Sequence, residues 1–203
     1  MIIDILKRIH RKFAGDTDYP GTGSEERLVR LDRIDDAISE WEDCVDEGYS
    51  WKELQTSEAV SFGGSGSDDL PEDFRAFIRH FDSNNGFQMA QFMVGSATYK
   101  EVNAAKGDQY LRAGLSPYVF WHSGGKIKSL PAIIGTIELP YIKKATRYVT
   151  GDEATEPEME NPKFIEEYAI AMEYLKNGDD TLYQSHFLSA NEKLQKMKYN
   201  SLT

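Results

Sequence analysis

The side chains that could do acid–base, nucleophilic or metal chemistry are few and scattered. The chain has four histidines, His10, His80, His122 and His186, and one cysteine, Cys44. No histidine stands at a metal-binding spacing from a second histidine or from the cysteine, so no metal or other cofactor is expected. His80 on a helix edge and His122 beside a hairpin read as structural. Cys44 falls near the apolar edge of the helical stripe Ile34, Ile38, Trp41 and Val45, where it is a packed thiol rather than a nucleophile. Being alone, it forms no intramolecular disulfide and fits a reducing compartment. No serine sits in a nucleophile elbow. Carboxylate pairs such as Asp68-Asp69 and Glu166-Glu167 say little in a chain with 34 acidic residues, although folding can bring distant carboxylates into a glycosidase-like pair. Phe62-Gly63-Gly64-Ser65-Gly66-Ser67 lacks the lysine of a phosphate-binding loop and its strand–glycine–helix setting, so it reads as a flexible loop. The expectation is a protein that is not an enzyme and has no catalytic, cofactor-binding or metal-ligating residues.

The charge points the same way. The formal net charge is -11 over 203 residues, which keeps a chain soluble and off DNA and anionic membranes. Hydrophobic residues at 40% and aromatics at 12% supply a real core. Charge is uneven. Lys7, Arg8, Arg11 and Lys12 sit near the start, whereas acid gathers in Asp35 to Glu47 and Asp152 to Glu160. No apolar run is long enough to cross a bilayer. A signal peptide is not expected, because Asp4 and Lys7 interrupt the first apolar residues.

The elements follow from periodicity. Residues 1–14 predict a basic amphipathic N-terminal arm, with Ile2, Ile5, Leu6 and Ile9 on the stripe that docks onto protein, either its own domain or a neighbour. A Gly/Pro/Asp/Thr loop from Asp16 to Gly23 follows. Ser24 is the expected N-cap of a helix through residues 24–48, with Asp32, Asp36, Glu40 and Asp43 on its acidic face. Tyr49, Trp51 and Leu54 open an extended segment. Pro71, Phe74, Phe77, Ile78 and Phe81 predict a short helix ending at Asn84-Asn85-Gly86. Residues 87–149 read as mainly β. The strand candidates are Phe87–Val94, Ala97–Val102, Tyr118–His122, Lys126–Leu130, Ile133–Leu139 and Tyr141–Val149, with a hairpin at Ser123-Gly124-Gly125 and with Pro131 and Pro140 at strand ends or edges. Gly151 to Pro162 is expected to be a surface connector. Two antiparallel helices joined at Asn177-Gly178 close residues 162–198, and 199–203 form a tail. The fold class is therefore α+β, with helices at both ends, a central antiparallel β-hairpin region, and a single domain over residues 15–198.

The order of these elements carries a resemblance. An N-terminal helix precedes Tyr49-Ser50-Trp51-Lys52-Glu53-Leu54, a Gly/Ser loop and Leu70-Pro71-Glu72-Asp73-Phe74. Hairpins containing Tyr118-Val119-Phe120-Trp121, Lys126-Ile127-Lys128-Ser129-Leu130-Pro131 and Tyr141-Ile142-Lys143-Lys144-Ala145 follow, and then two closing helices. Over about residues 24–198 this series resembles the head-to-tail adaptor, or connector-ring, proteins of tailed bacteriophages. The resemblance implies a structural virion protein, assembled in the host cytoplasm, that forms a homo-oligomeric ring of roughly twelve copies. Such a ring binds beneath the portal protein, meets a tail or stopper protein, and lets double-stranded DNA pass without sequence-specific binding or any membrane contact. Portal docking would use Lys193, Leu194, Lys196, Met197 and Tyr199, and the acidic face at Asp32, Asp36, Glu40 and Asp43 would line the channel. A second, local resemblance covers Leu70-Pro71-Glu72-Asp73-Phe74 and the Asn85-Gly86 turn. It looks like the cell-wall-regulator and toxin-immunity superfamily, and implies an immunity-type domain that binds a toxin as a monomer or dimer.

Overall fold

The computed structural model describes residues 1–15, 20, 21, 23–148 and 154–202. In chain order the elements are α1 (Ile2–Ala14), α2 (Glu25–Asp43), β1 (Gln55–Gly63), β2 (Ser67–Asp69), β3 (Phe74–Phe77), β4 (Phe81–Asp82), β5 (Gly86–Phe87), β6 (Gln91–Val94), β7 (Ala97–Glu101), α3 (Ala104–Arg112), β8 (Val119–Ser123), β9 (Lys126–Leu130), β10 (Ile134–Lys143), α4 (Lys163–Lys176) and α5 (Asp180–Ser201). The fold is α+β, with helices at both ends and sheets between them. It forms two compact units, one of Met1–Tyr49 with Ala145–Thr203, the other of Ser50–Lys144, where the sequence reads as one domain. The insertion is geometrically simple, because Gln55 at the start of β1 lies opposite Ile142 near the end of β10. Chain entry and exit are thus side by side.

The helical unit is built from α1, α2, α4 and α5. Ser24 caps α2 as expected, its hydroxyl accepting the Arg27 N–H at 3.3 Å, and Asp179 caps α5 through the Leu182 N–H at 3.0 Å. The Asn177-Gly178 turn sends α5 back along α4. The arm of residues 1–14 is a packed helix: Ile2, Ile5, Leu6 and Ile9 are buried, α1 packs on α2 and α4, and Arg8 reaches Glu166 at 2.9 Å. Its docking stripe is therefore used within its own unit. The 155–160 part of the connector is also tied down. Thr155 accepts the Ile2 N–H at 3.0 Å, Glu156 holds the N-terminal amine at 2.9 Å, and Met159 is buried. Residues 151–153 of the connector, Val149 at the end of the last strand candidate, and residues 16–19 and 22 of the first loop lie outside the described residues. The expected tail is helical through Ser201.

The other unit holds two larger sheets and the β4–β5 hairpin. One sheet has the order β1-β10-β3 and the other β2-β9-β8-β7-β6. They meet across an aromatic core in which Phe77 stands edge-on to Phe120 at 4.8 Å. The β8–β9 hairpin falls where the sequence placed it. Other features do not: residues 88–90 of the candidate Phe87–Val94 and 144–148 of the candidate Tyr141–Val149 form no strand. Phe74–Phe77 and Phe81–Asp82 form strands instead of a helix: Phe77 pairs with Tyr141 and Ala76 with Ile142, because aromatic packing and a sheet edge override a spacing that also fits a helix. A helix, α3, joins β7 to β8, which makes that pair parallel within an otherwise antiparallel set. Finally, β10 is one ten-residue strand running through Pro140, and it is the central strand of its sheet. Proline fits there because β10 meets β3 only from Tyr141 onward, so the missing N–H at Pro140 faces a stretch with no ladder to break.

Candidate interaction surface

Two buried carboxylates, Glu101 and Glu42, hold backbone N–H groups, and the buried Lys198 is held by side chains. Glu101 takes both Arg79 nitrogens, at 2.8 and 3.2 Å, and the Ala90 N–H at 3.1 Å. Glu42 accepts the Ala145 N–H at 3.3 Å and pairs with Arg147. Lys198 reaches Glu47 at 2.6 Å and lies 5.0 Å from the centre of the Tyr49 ring. Cys44 donates to the Glu40 carbonyl at 3.3 Å, and burial pushes its thiol up to about 11. A thiol so weakly ionised at neutral pH is a poor nucleophile. The four histidines are dispersed: His80 and His122 are exposed, His10 contacts Arg30 at 2.8 Å, and His186 bridges Glu167 at 2.6 Å and Lys12 at 2.8 Å. Among the described residues no three His, Cys, Asp or Glu side chains are placed to hold a metal ion. No described helix is long and apolar enough to cross a membrane.

Surface is where apolar side chains are left over. On α5 the inner face buries Ala190, Met197 and Lys198, while Leu188 is 61% and Tyr199 69% exposed on the outer face. Eleven residues apart, these two share a side of the helix. Phe187 lies tilted between Tyr183 and Tyr168, its ring centre 5.5 Å from the first and 6.2 Å from the second. Of the portal-docking residues expected from sequence, Tyr199 and Lys196 are exposed, and Lys193 and Leu194 are half-buried. Met197, at 2% exposure, belongs to the core. That one expectation is corrected: its position on α5 turns it toward the rest of the unit. Leu188 was missed because the sequence reading took the last turns of the helix rather than its outer face.

On α2, Asp32, Asp36, Glu40 and Asp43 are all exposed and form one stripe at helical spacing. Behind them Tyr168 is raised to about 12, chiefly by burial and then by the Glu40 and Asp36 carboxylates. Asp35, half-buried beside this stripe, accepts the Tyr148 N–H at 3.0 Å. Burial holds its carboxyl above the ordinary 3.8, against the pull of that hydrogen bond and of Arg147. Because the folded-state value lies above the unfolded one, ionising Asp35 disfavours the fold, and stability falls as pH rises from 3.8 through the raised value. Asp35→Asn, which keeps an acceptor for Tyr148, is therefore expected to raise the urea midpoint at pH 7. The gain should disappear below pH 3.8, and equal midpoints at both pH values would contradict it.

No known family's profile matches the chain, and no curated protein matches it.

Proposed function

We propose that this chain is a non-enzymatic assembly subunit that docks through the outer face of α5, acting as a head-to-tail adaptor in a ring beneath the portal of a tailed bacteriophage. The observation that carries the reading is the pairing of Leu188 and Tyr199 on the solvent side of a 22-residue helix whose opposite side is locked into its unit. A rigid helix with a free apolar stripe and Lys196 beside it is suited to a groove on a partner protein. The chemistry of the interior agrees, since Glu101, Glu42 and Lys198 are each consumed by structural pairs. The element order from residue 24 to 198 supplies the kind of assembly. In such a ring the α2 stripe, facing the channel, would repel DNA phosphates and let the duplex slide.

The immunity-type reading required a helix at Leu70-Pro71-Glu72-Asp73-Phe74 onward. That segment enters strand β3, so nothing favours it.

The test is co-sedimentation of the chain with purified portal rings. Leu188→Asp with Tyr199→Asp, both on exposed positions, should leave the melting temperature unchanged and weaken portal binding by about a hundredfold or more, as loss of central apolar anchors does. Undiminished binding would mean that α5 is not the docking element.

A further inference from the structure

The sheet unit leaves a long strand edge open. β1 lies at the end of its sheet and pairs with β10 through nine consecutive residues without a bulge. Two observations fix which of its backbone groups face outward. The Gly63 N–H turns away from β10 to the Asp68 carboxylate, at 2.8 Å. Six residues back, Ser57 lies opposite Pro140, whose nitrogen has no proton to give to a ladder. Alternation in an antiparallel pair then puts the N–H and C=O groups of Ser57, Ala59 and Ser61 on the free side. Among the described residues none of these outward groups has a hydrogen-bond partner.

Natural edge strands are usually blunted by proline, bulges or clustered charge. The stretch Gln55-Thr56-Ser57-Glu58-Ala59-Val60-Ser61-Phe62-Gly63 has one charge and none of the other devices. Its free side opens on a groove of about 430 Å³, walled on the far side by β2, the end strand of the other sheet, and by Leu70 and Pro71. Three carboxylates line it: Glu58, Asp68 and Asp69. Only Asp69 is offset by a lysine, Lys126 at 2.7 Å.

We infer that this groove takes an extended segment of another protein, one that alternates basic with small or apolar side chains and adds as a strand to β1. Main-chain bonds to Ser57, Ala59 and Ser61 would hold the segment, and Glu58 and the exposed Asp69 would select its cations, Asp68 being spent on the Gly63 N–H. A second copy of this chain is a poorer occupant, since it brings a net charge of -11 to an acidic groove. The inference is independent of α5 and of the ring.

Amide hydrogen exchange on the full chain tests it with two synthetic extended peptides, one alternating valine with lysine and one alternating valine with glutamate. The lysine peptide should slow exchange at Ser57–Ser61 about a hundredfold when present at about 100 Kd, and the glutamate peptide should not. Ala59→Pro removes an amide that has no ladder partner, so the melting temperature should hold while protection at Ser57 and Ser61 is lost. If that variant fails to fold, Glu58→Lys with Asp69→Lys serves instead, and the peptide preference should reverse. Equal protection by both peptides, protection by neither, or protection that grows with chain concentration alone would overturn the inference.

Discussion

Gly107→Ala should destabilise the protein by about 2 to 3 kcal/mol, although helix propensity alone predicts a gain of about 1 kcal/mol. Gly107 lies in the middle of α3, where alanine is ordinarily the better residue. A Cβ built there would meet the Trp121 ring at 2.3, 2.6 and 2.7 Å, distances no real contact tolerates. The indole cannot swing aside cheaply, because Trp121 is 1% exposed and forms part of β8. Overpacking therefore wins over propensity. Urea unfolding gives the magnitude, with an unchanged m-value expected. A double-mutant cycle gives the cause: with Trp121→Leu in place, adding Gly107→Ala should cost much less than in the parent chain. An additive cycle would mean that the glycine is needed for some other reason.

The second large effect is at Glu101. Its side chain is 5% exposed and gathers the Arg79 guanidinium and the Ala90 N–H around one carboxylate. Glu101→Ala removes the side-chain acceptor of a buried amide and takes a bidentate carboxylate away from a half-buried cation. Breaking a buried pair of this kind from one side costs about 3 to 5 kcal/mol. Because the Arg79 side chain is 31% exposed, water recovers part of that, and a loss of roughly 2 to 3 kcal/mol is expected. Glu101→Gln retains an acceptor for Ala90 and should lose about half as much. Equal losses for the two variants would show that the charge, not the amide, is the controlling partner.

These two residues mark how far the sequence could be read. Segments whose signal is local were legible. Ser24 before an apolar helical stripe, Asn177-Gly178 between two stripes, and Ser123-Gly124-Gly125 between alternating residues each name their element without help from the rest of the chain. Where long-range contact decides, the signal failed. Phe74, Phe77, Ile78 and Phe81 are spaced for a helix face, and only pairing with Tyr141 and Ile142 makes the first part of that run a strand. In α3 the mid-helix glycine, a residue that ordinarily disfavours a helix, is what lets the helix sit on Trp121. Its one local clue was Asn103, which caps α3 by accepting the Lys106 N–H at 2.8 Å. Pro140 looked like a strand end, and the ragged overlap of β3 with β10 removes the reason. For the candidate surface, helix periodicity exposed the acidic stripe on α2 in full. It could not tell the inner face of α5 from the outer, since both carry apolar residues. The free edge of β1 was invisible, because edge position depends on sheet order.

The assembly claim is most directly tested by the mass of what the chain forms. Size-exclusion chromatography with light scattering on the full chain, alone and with purified portal rings, reads that mass. The account predicts co-elution with portal at a mass that requires several copies of the chain, in the number set by portal symmetry. A chain that stays monomeric at every concentration, never co-elutes with portal, and instead turns over a small substrate would contradict it.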